Sequence, residues 1–162
     1  QSLREHVNAA RLFIIDNATN VRDIVSRARS LNRRHGVQLV FVDYLQLCEP
    51  AGKYENRNLA VASMSAALKR LAVESNIAVV VFSQLNRAGK GEKKTPLLSE
   101  LRDSGAIEQD ADLIAFLHLP NPDDKRSVVF SVAKHRNGPT GDRKLRFDPH
   151  IMHFTGDDGT PF

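Results

Sequence analysis

Asp43 closes the apolar run Leu39-Val40-Phe41-Val42, and Ser83-Gln84 closes Ile77-Ala78-Val79-Val80-Val81-Phe82. Asp16 closes a third run, Leu12-Phe13-Ile14-Ile15. The Leu39 run has the pattern of a short strand buried on both faces of a parallel sheet. In an open α/β sheet a ligand lies beyond the carboxyl ends of the strands. Polar residues at three strand ends thus stand at the mouth of one candidate site. A carboxylate placed there suits the hydrated Mg²⁺ of a bound nucleoside triphosphate, held through water. It suits equally well the ending of a strand or the capping of a turn. Lys134 and Arg136 are a second pair of interest: two apart on an expected strand, they point to one face. Cys48 has no cysteine partner, and His6, His118, His150 and His153 lack metal-ligand spacing, so neither a zinc site nor a thiol nucleophile is argued.

The elements that must position these residues follow from periodicity. Residues 1–10 read as the end of a helix. Asn17 and Asn20 supply a turn and a cap, and Val21, Ile24, Val25, Ala28 and Leu31 then share one helical face. His35-Gly36 stops that helix. After the polar loop Glu49 to Arg57, Asn58 is the expected cap of a second helix burying Val61, Met64, Leu68, Leu71 and Ala72. Thr95-Pro96 opens a third helical stretch, Leu97 to Asp112, broken at Ser104-Gly105. Leu113 to Leu117 is a further strand. Val128 to Lys134 and Arg143 to Phe147 flank the turn signals Asn137-Gly138 and Thr140-Gly141 as a hairpin. Strands alternating with helices predict an α/β fold with a mainly parallel central sheet and a C-terminal β-hairpin. Residues 1–154 are expected to form the domain, and 155–162 a loose tail.

Composition narrows the function classes. With 41% hydrophobic and 26% charged residues over 162 positions, the chain reads as one globular domain. No run of about 18 apolar residues exists to span a membrane, no signal peptide is evident, and the single cysteine fits a reducing cytoplasm. The first residue is Gln rather than Met, which suggests a part of something larger. Between Lys125 and Arg146 seven Lys/Arg face one acid, Asp142, so this segment carries +6 and the remainder −2 of the net +4. Arg87 to Lys94 adds four Lys/Arg against Glu92. That asymmetry fits a polyanionic partner, nucleic acid or nucleotide phosphate, and on charge alone it fits a solvated face equally well.

Four strings then occur in order: Val42-Asp43-Tyr44-Leu45-Gln46-Leu47; Ser83-Gln84-Leu85-Asn86-Arg87; Leu101-Arg102-Asp103-Ser104-Gly105-Ala106-Ile107-Glu108-Gln109-Asp110-Ala111-Asp112; and Lys134-His135-Arg136-Asn137-Gly138-Pro139-Thr140-Gly141. From about Leu12 to Phe147 the chain resembles the carboxy-terminal RecA-like ATPase domain of the DnaB-type replicative DNA helicases. The resemblance implies a three-layer RecA-like fold, here truncated on its N-terminal side. The family's phosphate loop, G-x-x-x-x-G-K-[ST], is not in this sequence. Ala51-Gly52-Lys53-Tyr54 and Ala88-Gly89-Lys90-Gly91 contain Gly-Lys but lack the hydroxyl residue and the preceding glycine. In the family that loop and the water-activating glutamate lie upstream of the matched region, as does the collar domain that binds primase.

The resemblance also assigns roles. Asp43 matches the Walker B aspartate that holds Mg²⁺ through water. Gln84 matches the sensor of the ATP γ-phosphate, a task an amide suits because it both donates and accepts. Arg102, Asp103 and Gly105 match the loop that grips single-stranded DNA, by phosphate contact and without base readout. Lys134 and Arg136 match the pair that reaches the γ-phosphate held by the next subunit, with Arg136 as the arginine finger. The implied whole is a cytoplasmic homo-hexameric DNA helicase using ATP and Mg²⁺, with primase and a helicase loader as partners. The isolated chain is expected to be inactive. The competing expectation is a non-catalytic DNA-binding or regulatory module on the same fold. A different RecA-like ATPase is disfavoured by the Glu108–Asp112 and Lys134–Gly138 strings.

Overall fold

The computed structural model describes residues 12–85, 96–100 and 104–159, without the side chains of Glu100 and Ser104. The chain folds as two compact units that divide after Gln84. In the first, helix α1 (Val21–His35) leads into strand β1 (Leu39–Val42), and helix α2 (Arg57–Ser75) into strand β2 (Ala78–Val81). α1 starts where expected: Asn20 is extended, and its side chain accepts the Arg22 N–H at 2.9 Å. It stops on Gly36 at φ 67°, whose N–H closes on the Asn32 carbonyl at 2.8 Å. The cap of α2 is Asn56 rather than Asn58: Asn56 is extended and accepts from the Leu59 N–H at 3.0 Å, which places Asn58 inside the first turn. Asn76 ends α2 in the left-handed region.

β1 and β2 pair in parallel, Leu39 to Ala78 through Val42 to Val81. One face of this ribbon is covered. Ala28 and Val25 of α1, Leu71 of α2, Ile77, Val40 and Val79 make a single apolar cluster. An ion pair between Arg29 and Glu74 links the two helices at the rim. The opposite face is open, with Leu39, Phe41, Val80 and Phe82 exposed and the Phe41 and Phe82 rings stacked at 6.3 Å. The expectation that β1 is buried on both faces is therefore corrected. Among the described residues helices cover one side only, and apolar run length alone does not count the covering layers. Leu12–Ile15 is likewise not a paired strand; it lies beside Arg27, Ser30 and Leu31 of α1 with Ile14 80% exposed. Leu71 is fully buried. Leu71→Ala should cost about 2–5 kcal/mol, the range for a buried Leu truncated to Ala. Urea unfolding checks this, and a loss below about 1 kcal/mol would place the core of this unit elsewhere.

In the second unit, helix α3 (Ser104–Asp110) precedes strands β3 (Leu113–His118), β4 (Ser127–His135), β5 (Gly141–Asp148) and β6 (His153–Gly156). They form an antiparallel sheet in the order β3-β4-β5-β6. The predicted hairpin is present as β4–β5, with Val132 opposite Gly141. It is one part of a larger meander, and the first residues of the expected tail, Thr155 and Gly156, pair with Arg146 and Leu145. The α/β class stands. Among the described strands, however, only β1 and β2 pair in parallel, alongside an isolated parallel bridge between Asn20 and Glu49, so parallel pairing is seen in the first unit alone. Ile114 and Phe116 centre the second unit's core, packed with Leu85, Leu98, Ala111 and Ala133.

Candidate functional site

The two strand ends of the first unit run on together after their last ladder pair. Phe82 N–H donates to the Val42 carbonyl at 3.0 Å, and Leu45 N–H donates to the Phe82 carbonyl at 2.9 Å. Leu45 opens a short 3₁₀ turn to Leu47 and is buried beneath it. Asp43 lies between those two bonds, exposed, with a cis peptide bond to Tyr44. Gln84 is exposed too, two residues beyond Phe82. Neither the Asp43 carboxylate nor the Gln84 side-chain amide takes a partner among the described residues, and both residues are exposed. The topology thus brings these two predicted residues to one edge. It does not bring Asp16 into a ladder with them.

Sequence reasoning passed over Gln46, which bridges the strand ends. Its side-chain amide donates to Ser83 Oγ at 2.8 Å and to the Gln84 carbonyl at 3.4 Å. Its Oε1 accepts the Gln84 N–H at 3.2 Å. The only sequence signal was an amide residue three positions past a strand-end aspartate. No group of three or more His, Cys, Asp or Glu that could hold a metal exists among the described residues. A lone exposed carboxylate does fit Mg²⁺, which keeps most of its waters and takes its remaining ligands from substrate phosphates. Cys48 is half-buried, and burial pushes its thiol up from the ordinary range, which leaves it unsuited to nucleophilic work.

In the second unit Lys134 lies on β4 but Arg136 falls in the turn just past it, so the expectation of one strand carrying both is corrected; both nevertheless reach the C-terminal end of α3. Lys134 Nζ donates to the Glu108 carbonyl, and Arg136 Nη2 to the Gln109 carbonyl at 3.1 Å. Arg136 Nη1 also pairs with Asp112 Oδ1 at 3.1 Å, while its backbone N–H donates to the Asp112 carbonyl at 2.8 Å. Asp112 stood in the sequence only as part of a string; its pairing with a residue 24 positions on carried no local signal. The turn after β4 is set by Gly138. A Cβ there would meet the exposed His135 ring at 2.3 Å, so a larger residue would have to displace that side chain. Gly105 differs: a Cβ would meet nothing within 4 Å among the described residues. Arg102 and Asp103 lie outside the described residues.

The DnaB-like helicase C terminal domain family matches residues 1–156. The chain belongs to that family. It is 39% identical over 162 residues to a probable plasmid replicative DNA helicase of Chlamydia psittaci, covering 96% of this chain and 35% of that protein. It is 34% identical to a DnaB-like replicative helicase solved for its interactions with primase, with a TM-score of 0.85 over 94% of this chain and 39% of that one. A second solved structure, an ATPase domain, matches at 34% identity and a TM-score of 0.86, over 94% of this chain and 57% of that domain. The RecA-like fold of the DnaB helicases is therefore the fold of this chain. The chain spans about a third of the length of the curated relatives it matches. Among the described residues, no helix is long and apolar enough to cross a membrane.

Proposed function

We propose that this DnaB-family chain is the carboxy-terminal part of a RecA-like motor, which drives a ring of subunits along single-stranded DNA and unwinds duplex by ATP hydrolysis. The observation that carries it is the shared edge where Asp43 and Gln84 stand beyond β1 and β2, the only parallel pair among the described strands. Asp43 would hold hydrated Mg²⁺, which when bound neutralises charge on the ATP phosphates. The Gln84 amide donates to the γ-phosphate or accepts from the attacking water, and changes partner when phosphate leaves. Lys134 and Arg136 belong to the facing half of the site. From the neighbouring subunit of a homo-hexamer they place positive charge over the γ-phosphate oxygens of a nucleotide this subunit holds. Primase and a helicase loader are the partners such a motor engages, and the cytoplasm is where it works.

The DNA grip falls to Arg102, Asp103 and Gly105. A bare backbone at Gly105 leaves its surroundings open to a phosphate, and Arg102 supplies the cation. The test is made on the full-length protein that carries this chain. It should displace a labelled strand from a forked duplex only with ATP and Mg²⁺; failure to unwind any fork would favour the non-catalytic module instead. Arg102→Ala should weaken single-stranded DNA binding alike on all sequences and lower the salt slope by about 1, the share of one lost phosphate contact. An unchanged affinity and slope would remove Arg102 from the DNA path.

A further inference from the structure

Parallel strands hold register only as far as main-chain groups can alternate between them. Here the ladder ends at Val42 and Val81, and two further main-chain bonds carry it to Leu45. There the β1 side turns into a 3₁₀ helix, and its backbone no longer faces β2. Gln84 would be left with an N–H and a carbonyl but no strand to pair with. The Gln46 side chain takes that place. Its carbonyl oxygen accepts the Gln84 N–H, its amide donates to the Gln84 carbonyl, and it also donates to Ser83 Oγ. A primary amide has the donor and acceptor of a peptide group at nearly the same spacing, so it imitates one more rung.

We infer that Gln46 is a positioning residue for ATP hydrolysis: it fixes the backbone at Gln84 and so locks the direction of the Gln84 side chain against the strand end that carries Asp43. This rests on the reading of Gln84 as the γ-phosphate sensor. Gln46 need not touch nucleotide. It acts by making the two strand ends one rigid piece, so that a change of partner at Gln84 is felt at the Asp43 turn. Without it, the Gln84 main chain keeps no hydrogen-bond partner among the described residues. A sensor that wanders by about 1 Å loses up to about 10²-fold in rate.

The experiment uses the full-length protein with Gln46→Met, which keeps bulk and removes every hydrogen bond of the amide. Gln46→Asn keeps the amide but shortens its reach, and serves if the Met variant does not fold. Gln84→Ala and the double variant complete the cycle. We expect Gln46→Met to lower kcat about 10- to 100-fold, with the KM for ATP and the melting temperature near those of the parent. The double variant should be no slower than Gln84→Ala. A second readout is independent of turnover: the difference in single-stranded DNA affinity between a non-hydrolysable ATP analogue and ADP should shrink in both single variants. If Gln84→Ala slows turnover while Gln46→Met does not, or if the two losses multiply, Gln46 does not work through Gln84 and the inference is overturned. If Gln84→Ala itself is silent, the sensor reading falls first and this inference with it.

Discussion

Arg136→Ala, introduced into the full-length protein, is expected to reduce DNA-stimulated ATP turnover by on the order of 10³-fold, as loss of an arginine finger does elsewhere. On the proposed reading, one subunit brings a phosphate loop, Asp43 and Gln84, and its neighbour brings Lys134 and Arg136. Arg136 is half-exposed on its own unit, held by Asp112 and the Gln109 carbonyl, so its removal should leave the fold standing. Mixed rings give the sharper measurement. Inactive Arg136→Ala subunits should regain turnover when mixed with subunits that keep Arg136 but carry a broken phosphate loop. No recovery in rings shown to be mixed would mean that Arg136 serves its own subunit.

Asp43→Asn should bring the second large loss, about 10²-fold or more in turnover, since charge stabilisation at a phosphoryl oxygen contributes on the order of several kcal/mol. The asparagine keeps the shape of the strand end and removes only the charge. Asp43 is exposed and without a partner among the described residues, so thermal unfolding should be unchanged. Steady-state hydrolysis at saturating Mg²⁺ decides the matter. A normal rate would reduce Asp43 to the end of a strand.

Which features were legible in the sequence depended on the range of their causes. α1 was readable in full because its face, its Asn20 cap and its Gly36 stop are all local. The strand runs around Val40 and Val79 were readable from their β-branched residues. Their surroundings were not: whether a run is covered on one face or two depends on layers far away in sequence, and Leu39 and Phe41 remain exposed. Leu12–Ile15 failed for the same reason, since an apolar tetrad does not state whether it has a partner. The cap of α2 was misplaced by two residues because Asn56 and Asn58 are chemically equal, and only the backbone conformation separates them. That Asp43 and Gln84 would come to one edge was legible from their positions at strand ends. Gln46 and Asp112 were missed because their work spans 38 and 24 residues, and a single sequence carries no mark of such pairings.

The docking of Arg136 on α3 also bears on disorder. A free arginine side chain samples many rotamers, and fixing them costs roughly 1.5–2 kcal/mol. In this chain much of that freedom has already been lost, to Asp112 and to the Gln109 carbonyl. On the proposed reading, engaging a phosphate in the neighbouring subunit is then an exchange of one set of acceptors for another by an ordered guanidinium. The entropy of that step is small, and its timing is governed by how firmly the last turn of α3 holds the side chain rather than by a search through conformations.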